Sequence, residues 1–90
     1  MKVKFFATYR QITRRKEEDV PAPADVMALL VNLCERYAGF RAKLLTPDGT
    51  DVGEETIILL NGKNIYHLDG KDTPLSDTDT VSVFPVVAGG

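Results

Sequence analysis

A single amphipathic helix, flanked on both sides by strand-like segments, limits the folds open to this chain. Its apolar side chains recur at helical spacing and form one stripe, made of Val26, Leu29, Leu30, Leu33 and Tyr37. Asp25 precedes the stripe, and its carboxylate can accept the free backbone N–H groups of a first helical turn. Gly39 follows the stripe and supplies a C-terminal stop. Because one helix covers only one face of a sheet, the remaining segments must pack as strands against this stripe.

Period-two alternation predicts strands before and after the helix. Residues 2–8 alternate, with Val3, Phe5 and Ala7 on one side. Residues 17–20 form a short second strand that ends at two prolines, and residues 9–16 are a polar connection. Residues 56–60 are an unbroken run of β-branched and leucine residues, typical of a strand covered on both faces. Asn61-Gly62 is a hairpin signal that leads into a return strand at 63–66, and the last strand is 80–86.

This order of elements predicts the β-grasp, or ubiquitin-like, architecture of the α+β class. We expect a four- to five-stranded mixed sheet wrapped on one main helix, with the first and last strands parallel in its middle. In the last strand, alternation places Val81 and Val83 opposite to Ser82 and Phe84. Residues 1–85 are then one β-grasp domain, and residues 86–90 are an extended, flexible C-terminal tail.

Composition argues against several classes of partner. The 90 residues hold 11 Lys and Arg against 13 Asp and Glu, so the net charge of -2 is unlike that of a nucleic-acid-binding protein. The basic run 14–16 meets the acidic run 17–19, which we expect to be a solvated surface whose charges compensate each other. The N-terminus lacks the apolar stretch of a signal peptide, and no apolar run reaches the roughly 18 residues of a membrane helix. With one cysteine, we expect a cytoplasmic protein without membrane contact.

Residues that often carry chemistry are isolated in this sequence. Cys34 lies beside the apolar stripe, where a small buried hydrophobic residue is expected, and His67 follows a hairpin, where surface or edge-strand packing is expected. Asp77 and Asp79 belong to ordinary turn sequence. No glycine-rich phosphate loop follows a strand. We therefore predict no catalytic site, no metal site and no bound cofactor.

The C-terminal segment is the part of the sequence that indicates a chemical function. Pro85 cannot donate a ladder hydrogen bond and helps to end the last strand, and five extended residues can reach up to about 17 Å beyond it. Gly89 and Gly90 have no side chains, so they fit a narrow channel and leave the terminal carboxylate unhindered. That suits adenylation by another protein and displacement of AMP by a nucleophile. A frayed tail is the alternative, although the three apolar residues 86–88 favour burial in a partner's groove.

Four segments carry a family resemblance: Val3-Lys4-Phe5-Phe6-Ala7 with Arg10, Leu60-Asn61-Gly62-Lys63, Leu75 with Asp77 and Asp79, and residues 81–90 with Phe84-Pro85 and Ala88-Gly89-Gly90. Together they cover nearly the whole chain. They resemble the ubiquitin-like sulfur carriers, and especially the small subunit of molybdopterin synthase.

The resemblance implies a carrier that acts as co-substrate of partner enzymes. Gly90 would be adenylated by an ATP-dependent, ubiquitin-activating-type enzyme and converted to a thiocarboxylate. That group would donate sulfur in a second partner, such as the large subunit of molybdopterin synthase. The residues that would thread into the partner are Val86, Val87, Ala88 and Gly89. Phe6 and Phe84 would form the partner interface, extended by Ile65; strand parity also places the two phenylalanines away from the helix.

Some features of the sequence leave the use of the tail open. Pro85-Val86 stands where the molybdopterin subunit often has two prolines, and the long loop 44–55 is similar to that of small archaeal modifiers. The Val-Ala-Gly-Gly ending also occurs in carriers for thiamine and cysteine synthesis. A protein modifier joined through Gly90 to target lysines is therefore a second hypothesis. A plain β-grasp interaction domain with an incidental tail is the third.

Overall fold

The computed structural model describes residues 1–86. Its strands are β1 (Lys2–Phe5), β2 (Glu17–Asp19), β3 (Thr56–Leu60), β4 (Lys63–Asn64) and β5 (Thr80–Pro85), and its helices are α1 (Thr8–Thr13), α2 (Val26–Arg36) and α3 (Arg41–Leu44). Two single 3₁₀ turns, Ile65–His67 and Gly70–Asp72, follow β4.

Helix α2 forms where the apolar stripe predicted it. The Asp25 carboxylate accepts the Ala28 N–H at 2.9 Å, which caps the first turn. The stripe of α2 is buried against the sheet, and the helix ends at Arg36, three residues before Gly39 with its φ of 95°. The predicted cap is confirmed, and so is the stripe from Val26 to Leu33; Tyr37 is the extended C-cap, so the helix ends before Gly39 rather than at it.

The five strands form one mixed sheet in the order β2-β1-β5-β3-β4. Strands β1 and β5 run parallel in the centre, with Val3 opposite Val81, and the other neighbours are antiparallel. The side chains facing α2 make the core, in which Val3, Val81 and Val83 are fully buried. The predicted β-grasp arrangement is confirmed, including the parallel central pair.

Two short helices, α1 and α3, were not predicted from the sequence. Helix α1 occupies the predicted polar connection and shortens the first strand to Lys2–Phe5. The chain turns at Ala7, whose φ is 53° and ψ is -124°, and buries Tyr9 to 1% exposure. Tyr9 packs edge-on against Phe40, with ring centroids 5.5 Å apart. Tertiary packing of that ring, rather than a local cap, stabilises α1, and α3 follows directly after Phe40.

The prediction that β3 is covered on both faces is wrong. Ile58 is 1% exposed on the helix side of the sheet, whereas Ile57 and Leu59 are only partly buried on the other side. The helices pack on one face, so the alternate residues of β3 remain accessible on the outer face of the sheet.

The sequence predicts that the acidic run next to the basic run is a solvated surface, and this prediction is wrong for Glu18. Glu18 is 8% exposed and points to the helix side of β2, where its Oε2 accepts hydrogen bonds from Arg36 at 2.6 Å and from the Tyr37 hydroxyl at 2.8 Å. Its partner is thus the end of α2 rather than the neighbouring basic run. The carboxylate contributes to the raised pKa of Arg36 through this hydrogen bond.

Candidate partner-docking site

The outer face of the sheet carries a stacked pair of aromatic rings. Phe6 directly follows β1, and Phe84 lies near the end of β5; their ring centroids are 4.1 Å apart and the ring planes differ by 9°. The Phe6 N–H donates to the Val83 carbonyl at 3.2 Å, which holds the two chains in register. Both rings are partly buried, and they face away from α2. The side predicted for them by strand parity is confirmed.

Strand pairing adds two aliphatic side chains beside the stack. Ile57 lies directly opposite Phe84 and Leu59 directly opposite Ser82, so both face outward with the rings. We call Phe6, Phe84, Ile57 and Leu59 the outer patch. Sequence reasoning missed its two aliphatic members, because only the register between β3 and β5 shows which side of a uniformly apolar strand faces outward. An accessible apolar patch on a central pair of strands is typical of an interaction surface.

Ile65 does not belong to the outer patch, and its prediction as part of the interface is wrong. It is 4% exposed and packs in the core. The cause is the register of β4: Asn64 pairs with Leu59, which faces outward, so the next residue, Ile65, faces inward on the side of Ile58. The Asn64 side chain then accepts the Tyr66 N–H at 2.9 Å, which ends β4 and starts a 3₁₀ turn.

Arg10 lies at the rim of the outer patch. Its Cζ is 5.7 Å from the centroid of the Phe6 ring, and its Nε donates to the Phe5 carbonyl at 3.2 Å. The cation–π contact and the hydrogen bond fix the guanidinium beside the aromatic stack. A fixed positive charge at the rim gives the patch a polar border that can orient a partner.

The end of β5 is anchored where the C-terminal tail begins. Pro85 pairs with Thr56, and the Val86 N–H donates to the Glu55 carbonyl at 2.8 Å. Val86 itself is 47% exposed. The chain is therefore held by the sheet up to residue 86, at which point an apolar side chain faces solvent.

A buried chain of hydrogen bonds connects Thr56, which pairs with Pro85, to Lys43 and Tyr9. The Thr56 hydroxyl donates to the Lys43 carbonyl at 2.6 Å, so the Tyr9 hydroxyl donates in turn to the Thr56 Oγ1 at 2.5 Å. Burial is the main cause of the raised pKa of Tyr9. The phenol is thus a neutral donor that ties α1 to the first residue of β3.

Comparison with protein families gives one match that spans almost the whole chain. The ThiS family model matches residues 3–90. The chain belongs to the ThiS family. Its solved relatives have the ubiquitin-like β-grasp fold, in agreement with the sheet order described above.

Relatives of this ThiS family chain include both modifiers and carriers. It is 40% identical over 92 residues to small archaeal modifier protein 3 of Haloferax volcanii, covering 100% of this chain and 98% of that protein. It is 26% identical over 88 residues to the molybdopterin synthase sulfur carrier subunit of Emericella nidulans, covering 98% and 94% respectively. The solution structure of small archaeal modifier protein 1 from Methanosarcina acetivorans is 30% identical and covers 99% of this chain and 94% of that one, with a TM-score of 0.85.

Most of the C-terminal segment predicted to thread into a partner lies outside the described residues. Val87, Ala88, Gly89 and Gly90 follow the last described residue, so their threading into a partner, and the modification of Gly90, stay predictions. Val86 is described and lies at the base of this segment.

The residues predicted to be structural are separate from the outer patch. Cys34 is partly buried against the core, and burial raises the pKa of its thiol, which disfavours a nucleophilic thiolate. His67 is exposed, as predicted. Asp77 accepts the Ala22 N–H and so connects two distant segments, and Asp79 accepts the Ser76 N–H within its own turn and an Asn61 amide proton.

Within residues 1–86, no three His, Cys, Asp or Glu side chains are grouped so that they could hold a metal ion. None of the helices in this part of the chain has the length and apolar character needed to cross a membrane.

Proposed function

We propose that this chain is a sulfur carrier whose C-terminal Gly90 is activated by an ATP-dependent enzyme and converted to a thiocarboxylate. The acceptor of the sulfur is the pterin precursor of the molybdenum or tungsten cofactor, bound to a partner like the large subunit of molybdopterin synthase. The chain acts as a co-substrate in the cytoplasm and supplies recognition and reach rather than catalytic groups. Membership of the ThiS family and the similarity to a sulfur carrier subunit support this proposal.

The chemistry proposed for Gly90 balances with ATP as co-reactant. A carboxylate oxygen attacks the α-phosphorus of ATP, which forms an acyl adenylate and releases pyrophosphate. A sulfide equivalent then attacks the carbonyl carbon, and AMP leaves with the bridging oxygen. The resulting thiocarboxylate sulfur attacks a carbon of the acceptor and displaces an oxygen leaving group from it, and water then cleaves the acyl–sulfur bond, which restores the carboxylate and leaves the sulfur on the acceptor. Each of these steps occurs in a partner, which explains why the described residues need no catalytic group of their own.

The observation that carries the proposal is the position of the outer patch relative to the tail. Phe84 and Val86 lie on the same segment of chain, and the Glu55 carbonyl holds the Val86 N–H. A partner that covers the Phe6–Phe84 stack therefore contacts the base of the tail at the same time. Docking there fixes where the last four residues begin, which lowers the entropic cost of placing Gly90 in a distant site.

A protein modifier is the second candidate, favoured by the 40% identity to small archaeal modifier protein 3. In that case the adenylated Gly90 is attacked by the ε-amine of a target lysine, which forms an isopeptide bond and releases AMP. The outer patch would serve the same activating enzyme. The two functions differ only in the nucleophile that displaces AMP.

The products formed in the native host separate the two candidates. For a carrier, intact mass spectrometry of the free protein shows one oxygen replaced by sulfur, and deletion of Gly90 or one residue added after it abolishes the change. For a modifier, immunoblots show a ladder of larger conjugates that disappears with the same variants. Unmodified free protein without a ladder, under conditions in which the cofactor is made, would overturn both proposals.

The docking step has its own test with a matched control. We expect Phe84→Ala and Phe6→Ala to lower kcat/KM for adenylation by the activating enzyme about 30-fold each, because a buried aromatic anchor typically contributes about 2 kcal/mol or more. Val31→Ala is the control, since Val31 is an apolar side chain on α2 with 38% exposure, away from the outer patch. Equal rates for the patch variants and the control, with all three folded, would show that the partner does not bind the outer patch.

A further inference from the structure

A second surface lies on the helix side of the sheet, at the edge formed by β3 and β4. It is a groove of about 620 Å³ between the loop 51–54 and the two 3₁₀ turns. Its floor is apolar and includes Val52, Ile58 and Ile65. Ile58 points to the opposite side of β3 from Ile57 and Leu59. This edge groove is therefore separate from the outer patch, and a partner on one surface leaves the other accessible.

The charges around the edge groove are strongly unbalanced. The carboxylates that line it are Asp51, Glu54, Asp69 and Asp72, whereas Lys71 is the only cation among the described residues that line it. Lys71 is 3.4 Å from an Asp72 oxygen, so it compensates one carboxylate at most. The groove thus holds a net charge of about -3 in a chain whose total is -2, which favours a positively charged ligand group.

An exposed aromatic ring stands at the rim of the same groove. Tyr66 is 84% exposed, the highest value among the exposed large apolar residues of the described chain. Its backbone is fixed by the hydrogen bond from its N–H to the Asn64 side chain, and its ring packs edge-on against His67 with centroids 5.6 Å apart. The face of such a ring attracts a cation placed over it.

We propose that the edge groove binds an arginine side chain presented by a basic segment of another protein. The apolar floor suits the aliphatic stem of arginine, and the carboxylates accept its N–H groups as charge-assisted hydrogen bonds. The Tyr66 ring lies where a planar guanidinium can stack on it. A volume of about 620 Å³ is in the range of ligand-binding clefts. This contact does not depend on Gly90, so it goes beyond the proposed carrier function.

The test is an NMR titration of the 15N-labelled full chain with two peptides. One is an acetylated heptapeptide, Gly-Ser-Leu-Arg-Leu-Ser-Gly, and the other has neutral, isosteric citrulline in place of the arginine. We expect the arginine peptide to shift the backbone amides of Val52, Ile58 and Tyr66 with a millimolar Kd, and the citrulline peptide to bind at least about fivefold more weakly. Equal shifts with both peptides, or no shift at these amides up to about 10 mM peptide, would overturn the proposal.

Paired variants test which groups bind the guanidinium. Asp69→Asn with Asp72→Asn should raise the Kd about fivefold, since each exposed charge pair contributes up to about 1 kcal/mol. Asp19→Asn with Glu35→Gln removes the same charge from exposed positions on β2 and α2 and should leave the Kd unchanged. Equal weakening by the two double variants would show that only the overall charge matters and would refute a built site. Amide shifts of the free protein that depend on its own concentration would instead assign the groove to a second copy of this chain.

Discussion

Replacing Thr56 with Val should destabilise the protein more than replacing Tyr9 with Phe, although both changes break the same hydrogen bond. The Tyr9 hydroxyl donates to Thr56, and the Thr56 hydroxyl donates to the Lys43 carbonyl. In Tyr9→Phe the second bond is kept, and only a donor is lost. In Thr56→Val both bonds are lost, and the Tyr9 hydroxyl remains in a site where that residue is 1% exposed.

The magnitudes follow from this difference. Loss of one neutral hydrogen bond lowers the free energy of unfolding by about 1 kcal/mol, which is the expectation for Tyr9→Phe. Thr56→Val leaves a buried hydroxyl and a carbonyl without partners, and we expect a loss of about 3 kcal/mol. Adding Tyr9→Phe to Thr56→Val removes one of these unsatisfied groups. The double variant should therefore be no less stable than Thr56→Val alone.

Urea denaturation of the wild type and the three variants measures these free energies, with equal m values as the check that the unfolding transition is the same. For a domain of this size, a difference of about 2 kcal/mol between the single variants corresponds to roughly 10 °C in Tm. If Thr56→Val were as stable as Tyr9→Phe, or if the two losses were additive in the double variant, the proposed direction of the hydrogen-bond chain would be wrong.

Three further predictions concern the backbone and the turns. Gly53→Ala should lower the free energy of unfolding by about 2 kcal/mol in urea titrations, because a Cβ there would lie 2.6 Å from the Lys43 carbonyl oxygen; an unchanged midpoint would contradict that close approach. Ala7→Gly should raise it by about 1 kcal/mol, because φ of 53° with ψ of -124° strains an L-residue; a destabilised variant would show that Ala7 is unstrained. Hydrogen bonds from Asn61 and, to a smaller extent, from the Ser76 backbone N–H lower the pKa of Asp79 below its usual 3.8. The contribution of the Asp79 carboxylate to stability is therefore fully present above that pH and is lost as the pH falls through the lowered value. Acid titrations of Asp79→Asn should show a smaller loss of stability than those of the wild type, and an identical loss would refute this prediction.

The parts of the fold set by neighbouring residues were predictable from the sequence. Helix α2 has its apolar stripe and its Asp25 cap within one segment, so the pattern alone located it. Alternation in the last strand likewise placed Phe84 on the outer face. Asn61 and Gly62 have φ of 51° and 87°, as the predicted hairpin turn requires.

The parts that depend on distant residues were not predictable. Helix α1 has six residues and no side-chain cap, and it forms because Tyr9 packs against Phe40. The accessible side of β3 depends on the register that places Ile57 opposite Phe84. Ile65 faces the core because β4 pairs with β3 in the register that places Asn64 opposite Leu59, and the strand ends two residues early because the Asn64 side chain accepts the Tyr66 N–H.

Reconstituted activation tests the central claim most directly. The full chain is incubated with the activating enzyme of its native host, ATP and a sulfide source, and its intact mass is measured. The account predicts that one oxygen of the Gly90 carboxylate is replaced by sulfur, and that Phe84→Ala slows the reaction while Val31→Ala does not. A protein that is adenylated but reacts only with lysine amines, and never with sulfide, would contradict the carrier function.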